Sequence, residues 1–463
     1  MRYSTAVSEF VSSFFYRNLK RAYPTVASAS GVFMYDTTGK RYLDGCSGAV
    51  VCNLGHGVKE INQAIEQQLA KVAYAHTSQF VSQPALDLAD KLVSVAPPHW
   101  RRGARIYFTS GGSESVETAI KMARGYFVEH GEPDRHICLS RFHSYHGSTL
   151  GALALTGHPA RRKPYLPLLG TPTHITSDYR YRCKCGYGPG PCPSEQCVRH
   201  RADELEEAIL LHGPESVMAF IAEPIVGAAL GAAVPGDSYW ARVREICTKY
   251  GVLLIADEVM TGLGRTGAVF AMNHWDIEPD IITLGKGLSA GYMPLGAVLA
   301  AGNVVSAFER KSGAFEHGFT YSGHPAASAA GKACLEYMDR HGLVAKVAER
   351  ERELFRHARE LMLRYDFIGD VRGRGFLLGF ELVSDRDTKE PFDPHLGVSQ
   401  LIAREAFKEG LLVYPGSGFI DGVQGDHFML APPFTITDDE MDELFSLLDC
   451  TLASVVENLK VPQ

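Results

Sequence analysis

The sequence lacks the features that export or membrane insertion requires. No run of about 18 apolar residues occurs in its 463 positions, and the N-terminal segment is broken by Glu9, Arg17, Lys20 and Arg21 before an apolar core can form. The expectation is a cytoplasmic protein with no membrane partner. Basic charge is also scarce: 46 Lys and Arg stand against 53 Asp and Glu, a net charge of -7, with no long block of one sign. Binding a phosphate backbone needs a basic stripe, so nucleic acid is excluded as the main partner. Internal repeats, low-complexity linkers and coiled-coil heptads are absent as well. What is there is a 45% hydrophobic chain with 46 Gly and 24 Pro. It is too long for one ordinary core and too apolar for a disordered tail, which implies two packed lobes.

Ten cysteines are present, but not as a chain-wide disulfide framework. Cys46, Cys52, Cys138, Cys247, Cys334 and Cys450 are scattered singly among apolar or small residues, as buried reduced thiols are. Cys183, Cys185, Cys192 and Cys197 crowd instead into one stretch rich in Gly, Pro and Tyr. Four cysteines can complete a tetrahedral zinc site. The spacing here, Cys-x-Cys, six residues, Cys, four residues, Cys, nevertheless lacks the familiar pair of Cys-x-x-Cys knuckles. The expectation is a disulfide or plain loop packing, and no metal is assigned.

Five short runs are rich in Val, Ile, Leu or Phe without alternation: Arg105 to Thr109, His136 to Ser140, Val217 to Ala222, Val252 to Ala256 and Ile281 to Leu284. Such runs suit strands buried on both faces, which belong to parallel sheets covered by helices. Helical patterning lies between them at Ser115 to Arg124, Ala202 to Leu211 and Ser238 to Tyr250. The fold class is therefore α/β, with a mainly parallel sheet flanked by helices. The chain ends differ. A hairpin is expected from Gly31 to Tyr35 and Lys40 to Leu43, and beyond about residue 345 a strand-like Gly375 to Leu382 lies among helical stretches at Glu349 to Leu363, Ser399 to Glu409 and Asp438 to Leu459. A large domain over residues 71–344, with a small α+β domain from residues 1–70 and 345–463, suits this order.

Open α/β sheets place ligands beyond the carboxyl ends of their strands, so those ends are where chemistry is sought. After the first run, Ser110-Gly111-Gly112-Ser113 leads straight into a helix, whose free N–H groups attract an anion; an ordinary N-cap is the plainer reading. After the second come His143, Tyr145 and His146. The tyrosine suits a stacking wall or simple packing, and the histidines read as structural or solvated. The third and fourth runs end in Glu223-Pro224 and Asp257-Glu258-Val259. Buried carboxylates there ask for a cation, and for Glu258 a salt bridge to a neighbouring arginine is expected. The fifth ends in Gly285-Lys286-Gly287. Burial lowers a lysine's pKa and favours the nucleophilic amine of Schiff-base chemistry, the competing account being an ion pair with Asp257 or Glu223. A phosphate cup, an aromatic wall, a buried acid and an accessible lysine at the strand ends of one sheet are together what pyridoxal phosphate needs.

With these residues in view, the chain resembles the class III pyridoxal-phosphate-dependent aminotransferases of fold type I, the omega-transaminase-like group that includes ornithine and 4-aminobutyrate transaminases. The resemblance runs from Tyr42-Leu43-Asp44-Gly45 and Asn53-Leu54-Gly55-His56-Gly57 to Ala431-Pro432-Pro433-Phe434-Thr435-Ile436-Thr437. It is most specific from Asp257 to Gly267 and at Gly285-Lys286-Gly287, whose lysine stands 29 positions after Asp257. It implies that Lys286 carries the Schiff base with pyridoxal 5'-phosphate and that Asp257 bonds the pyridinium nitrogen. Gly112 and Ser113 would hold the phosphate, and Tyr145 and Val259 would cover the two ring faces. Glu223 matches a carboxylate that influences substrate handling. Thr320 matches a threonine that reaches the phosphate of the neighbouring subunit, so a homodimer is implied. The implied reaction moves an amino group from an amine or amino-acid donor to a keto acid such as pyruvate.

Two departures bear on substrate. Many relatives carry an arginine ahead of the Pro-Pro motif that grips a substrate carboxylate, and Leu412 to Phe419 offers none. A donor with a simple amine end, or a clamp from elsewhere, is expected. Ala49-Val50-Val51 also lacks the tryptophan that several amine transaminases show beside the substrate channel, which suggests a roomier entrance. Among rival readings, Gly262-Leu263-Gly264-Arg265-Thr266-Gly267 spells a dinucleotide-binding fingerprint, but it stands five residues beyond its strand and ahead of a poor helix. An aminomutase, racemase or decarboxylase would use the same Lys286 and Asp257, whereas a non-catalytic scaffold would not need every cofactor position intact.

Overall fold

A computed structural model describes residues 13–460 apart from Arg101, Tyr187 and Pro189, so Glu9, noted above, lies outside the described residues. Its strands in chain order are β1 (Val26–Ser30), β2 (Phe33–Asp36), β3 (Arg41–Asp44), β4 (Arg105–Thr109), β5 (Ile137–Arg141), β6 (His174–Ile175), β7 (Val217–Ala222), β8 (Leu253–Asp257), β9 (Ile281–Leu284), β10 (Gly296–Ala300), β11 (Ile368–Arg374), β12 (Leu377–Leu382), β13 (Leu411–Leu412), β14 (Tyr414–Ser417) and β15 (Asp426–Leu430). Seven form the central sheet, in the order β4-β10-β9-β8-β7-β5-β6. All neighbours are parallel except β10, which runs against both β9 and β4.

Why these runs become strands is visible in their burial. Every residue of β7, β8, β9 and β10 is buried, because helices cover both faces. In β8, Leu253 and Ile255 pack with Val116, Ala123 and Phe127 of the helix Gly112–Glu129. The alternate Leu254 and Ala256 face the side of Trp240, Val243 and Ile246 from the helix Tyr239–Tyr250. Each fully buried aliphatic or aromatic side chain of this kind contributes about 1.5–3 kcal/mol.

Both chain ends fold together. β13 pairs in parallel with β3, placing Leu411 beside Leu43, in the sheet β1-β2-β3-β13. The remaining sheet, β11-β12-β15-β14, is antiparallel. Arg265, fully buried, fastens these parts to the central sheet. Its guanidinium donates to the carbonyls of Phe376 (3.0 Å) and Pro432 (2.7 Å) and to Asn53 Oδ1 (2.6 Å), and lies 4.7 Å from the Phe434 ring centroid. The glycine-rich stretch around it is therefore a structural turn: Leu263 and Gly264 both adopt positive φ, and no helix begins there to receive a dinucleotide. Among the described residues no helix is long and apolar enough to cross a membrane.

Candidate active site

The carboxyl ends of β5, β7, β8 and β9 and the start of the helix after β4 converge on one cavity of about 170 Å³. Gly112, Ser113, Tyr145, Glu223, Asp257, Val259 and Lys286, all named from the sequence, line it, together with His146, Gly147 and Met260. Thr320 does not; it is exposed elsewhere, its carbonyl accepting from Tyr74 Oη at 2.9 Å.

The helix start is held close to its neighbours. A Cβ on Gly112 would come within 2.7 Å of Val259 Cγ1, and one on Gly285 within 3.2 Å of the Gly112 nitrogen. Ser115 Oγ, one turn along, donates to the carbonyl of Leu284 at 2.9 Å, which ties the helix to the end of β9. The first amides of the helix have no partner within it and stay available to an anion.

Lys286 sits just beyond that strand end, with φ of +42. A non-glycine residue there is strained by the contact of Cβ with the carbonyl oxygen, and only firm surroundings sustain it. Gly287 supplies part of that firmness, since any Cβ would meet Asn53 Nδ2 at 2.2 Å. The ammonium makes no hydrogen bond or ion pair among the described residues, so the expected alternative of an ion pair with Asp257 or Glu223 does not occur. Burial pulls its pKa down from 10.5 to about 8, partly offset by the charges of Glu223 and Asp257.

The two site carboxylates are satisfied in different ways. Asp257 accepts from Thr283 Oγ1 (3.0 Å) and from the Val259 amide (3.2 Å) on one oxygen, and His146 Nδ1 lies 2.6 Å from the other. Glu223 accepts from the backbone amides of Tyr145 and Gly227, each at 3.0 Å. Among the described residues no cation bonds the Glu223 carboxylate, contrary to the sequence expectation. The buried Arg141 donates to the Glu223 backbone carbonyl, and burial raises the Glu223 pKa.

Glu258 also departs from expectation. No arginine bridges it among the described residues; the Thr261 hydroxyl and the Met272 amide donate to its two oxygens. The physical reason is direction: successive side chains of a strand end point to opposite sides, so Glu258 turns away from the pocket into the loop that follows. Burial pushes its carboxyl up to about 7.

Two residues were missed by sequence reasoning. His146 read as structural, yet it is buried on Asp257. Only the need of a buried carboxylate for a donor signalled it, since the contact joins two strand ends that are not adjacent in the sheet. Arg161 stands with its guanidinium 4.6 Å from the Tyr145 ring centroid, and its charge reaches Lys286. It makes no ion pair among the described residues. Val50 and Tyr414, from the two stretches that lack a tryptophan and an arginine, pack in one apolar cluster with Met260 and so adjoin the pocket wall.

The chain is similar to known proteins over nearly its whole length. Residues 16–452 match the family described as aminotransferase class-III. The chain is 43% identical over 444 residues to an uncharacterised aminotransferase, YodT, of Bacillus subtilis, covering 96% of this chain and 98% of that one. It is 34% identical over 437 residues to a putrescine–pyruvate aminotransferase of Pseudomonas aeruginosa, covering 93% and 91%. Among solved structures, an amine transaminase from an uncultivated Pseudomonas species in its pyridoxal-phosphate-bound form superposes with a TM-score of 0.88 at 35% identity, covering 97% of this chain and 99% of that one.

Proposed function

The chain belongs to the class III aminotransferases, pyridoxal-phosphate-dependent enzymes of fold type I, and from that premise we propose that it moves an amino group from an amine or amino-acid donor to a keto acid such as pyruvate, with Lys286 as the residue that holds the cofactor covalently. The observation that carries this reading is the state of Lys286: an amine opening on the pocket, unpaired among the described residues, with its pKa lowered to about 8.

The surrounding residues fit pyridoxal phosphate. The amides at Gly112 and Ser113, which have no partner within their helix, suit its phosphate, Asp257 suits a protonated ring nitrogen, and Tyr145 and Val259 suit the two faces of a flat ring. When bound, the cofactor supplies a ring able to take up the electron pair left behind as a proton leaves the substrate carbon. Asp257 would keep the proton on the ring nitrogen, and His146 and Thr283 hold its carboxylate in place. Lys286 Nζ, its pKa lowered by burial, would take the proton from the donor's carbon and, as the keto acid is aminated in turn, would deliver one to the acceptor's carbon. Glu223, held by two amides, would border the substrate.

Arg161 supports a keto-acid acceptor. It brings a positive charge beside Tyr145 without an ion pair among the described residues, which suits a substrate carboxylate where the usual C-terminal arginine is missing. A relative named for putrescine and pyruvate favours the same pairing. The absence of a tryptophan at Ala49-Val50-Val51 supports an entrance that admits bulky or terminal amines.

A homodimer in which Thr320 reaches the neighbouring site is part of this proposal. Thr320 lies on a surface with exposed Tyr74 and Tyr321, whose rings are 6.1 Å apart, and Tyr74 bonds the Thr320 carbonyl. Exposed aromatic side chains grouped in this way suit a protein partner. The test is a panel of amines and amino acids added to the cofactor-loaded enzyme, followed by cofactor absorbance and carbonyl product. Exchange of the amino group is expected. A substrate that is isomerised, racemised or decarboxylated with no exchange would contradict it.

A further inference from the structure

Cys183, Cys185, Cys192 and Cys197 take no part in the pocket above. Their spacing argued for a disulfide or plain packing, but the structure brings all four Sγ atoms within 4.8 Å of one another. Cys185 Sγ and Cys192 Sγ are 3.4 Å apart, against about 2.05 Å for a disulfide. A tetrahedral zinc with Zn–S bonds of about 2.3 Å sets its sulfurs about 3.8 Å apart. A sulfur pair at 3.4 Å and a cluster contained within 4.8 Å are compatible with that value.

The backbone builds this cluster from separate pieces. The Arg180 carbonyl accepts from the amides of both Cys183 (3.3 Å) and Cys192 (2.9 Å), which folds the two ends of the loop together. Gly186, with φ of +74 and nothing near a built Cβ, turns the chain directly after Cys185. Ser194 caps the helix Glu195–His212 by accepting from the Cys197 amide at 3.4 Å, so the last sulfur comes from a helix's first turn. Between the buried Tyr181 and Val198, Cys192 is the one buried residue among those described, so apolar packing does not hold the loop. A metal bond is what a loop without a core can use instead.

We propose that Cys183, Cys185, Cys192 and Cys197 bind one structural zinc ion. Four thiolates fill a tetrahedral sphere and leave no open position, which distinguishes this site from a catalytic one. On binding, the four thiol protons go to solvent and the filled site carries two net negative charges. Cations are at hand: Lys389 Nζ donates to the carbonyls of Tyr181 (2.6 Å) and Gly190 (3.0 Å), and its charge reaches Cys183. The zinc loop braces the wall of the pocket, because Tyr179 just ahead of it packs against Phe419 at 6.1 Å between ring centroids and shares a cluster with Tyr145.

Elemental analysis of the full chain, purified without chelator or added metal, tests this directly. About one zinc per chain is expected, falling below about one tenth in Cys192→Ser and Cys197→Ser and unchanged in the control Cys450→Ser. Protein produced with cobalt in place of zinc should show the intense visible absorption of a tetrahedral tetrathiolate centre, a readout that remains if a serine variant fails to fold. Wild-type chain without metal, chain loaded with iron alone, a disulfide between any two of the four cysteines, or zinc retained in both serine variants would each overturn the proposal. None of these readouts is aminotransferase activity, so the outcome is independent of the substrate reading.

Discussion

His146 Nδ1 lies 2.6 Å from Asp257 Oδ2 with both side chains buried, so the carboxylate in the pocket is held in orientation by an imidazole. A hydrogen bond to a charged group is worth about 1.5–3 kcal/mol, which converts to roughly a 10- to 100-fold rate effect if it is lost from the transition state. His146→Ala should lower kcat/KM by that factor and weaken cofactor retention. His146→Asn keeps a donor near the same place and should recover part of both. Equal loss in the two variants would reduce His146 to a packing residue.

Lys286 gives a pH signature. Its folded pKa of about 8 lies below its usual 10.5, so covalent capture of added cofactor by cofactor-free enzyme should rise with pH and level off above about 8. A midpoint near 10.5 would show that the amine is not desolvated. Linkage gives a second sign: between pH 8 and 10.5 the unfolded chain binds more protons than the folded one, so stability rises across that window and the full penalty is present below it. Lys286→Met removes the penalty and should stabilise the cofactor-free protein at neutral pH by on the order of 1–3 kcal/mol while abolishing activity. Denaturant titration measures it.

Glu258 carries the opposite sign. Its carboxyl, raised from 4.5 to about 7, is protonated in the fold where it would be ionised in the unfolded chain. The stability it contributes is fully present below pH 4.5 and is lost as pH rises through 7. In urea titrations the stability of wild type minus that of Glu258→Gln should therefore decline across this window. A flat difference would show that Glu258 stays ionised when folded.

Arg161 is expected to divide the substrates. Arg161→Ala should raise KM for pyruvate about 5- to 20-fold, the loss of one half-buried charged contact, and leave KM for an amine without a carboxylate nearly unchanged. Equal effects on both would place the carboxylate elsewhere.

Legibility in the sequence followed the physics of each element. β7 and β9 stand where their apolar runs lie, because burial on both faces leaves no room for polar interruption; β4 also matches its run, although at the sheet edge its Arg105 is exposed and Ile106 and Tyr107 are half-buried. β10 was not anticipated: Gly296–Ala300 is a short run of mostly small residues, and its reversal comes from pairing with β9 and β4, not from local preference. Lys286 was legible through its flanking glycines, one of which the structure presses against Asn53. His146 was not, because its partner lies on a distant strand end, and Glu258 misled because a hydroxyl three residues on satisfies it in place of an arginine. The cysteine crowding was plain in the sequence, but the common centre of its four sulfurs needed the fold of the loop.

The most direct test of the central claim is borohydride reduction of the cofactor-loaded enzyme followed by peptide mapping. The account predicts label on Lys286 alone, with labelling prevented when an amine donor has first converted the cofactor to its amine form. Label on another lysine, or on Lys286 regardless of any donor in the panel, would contradict it.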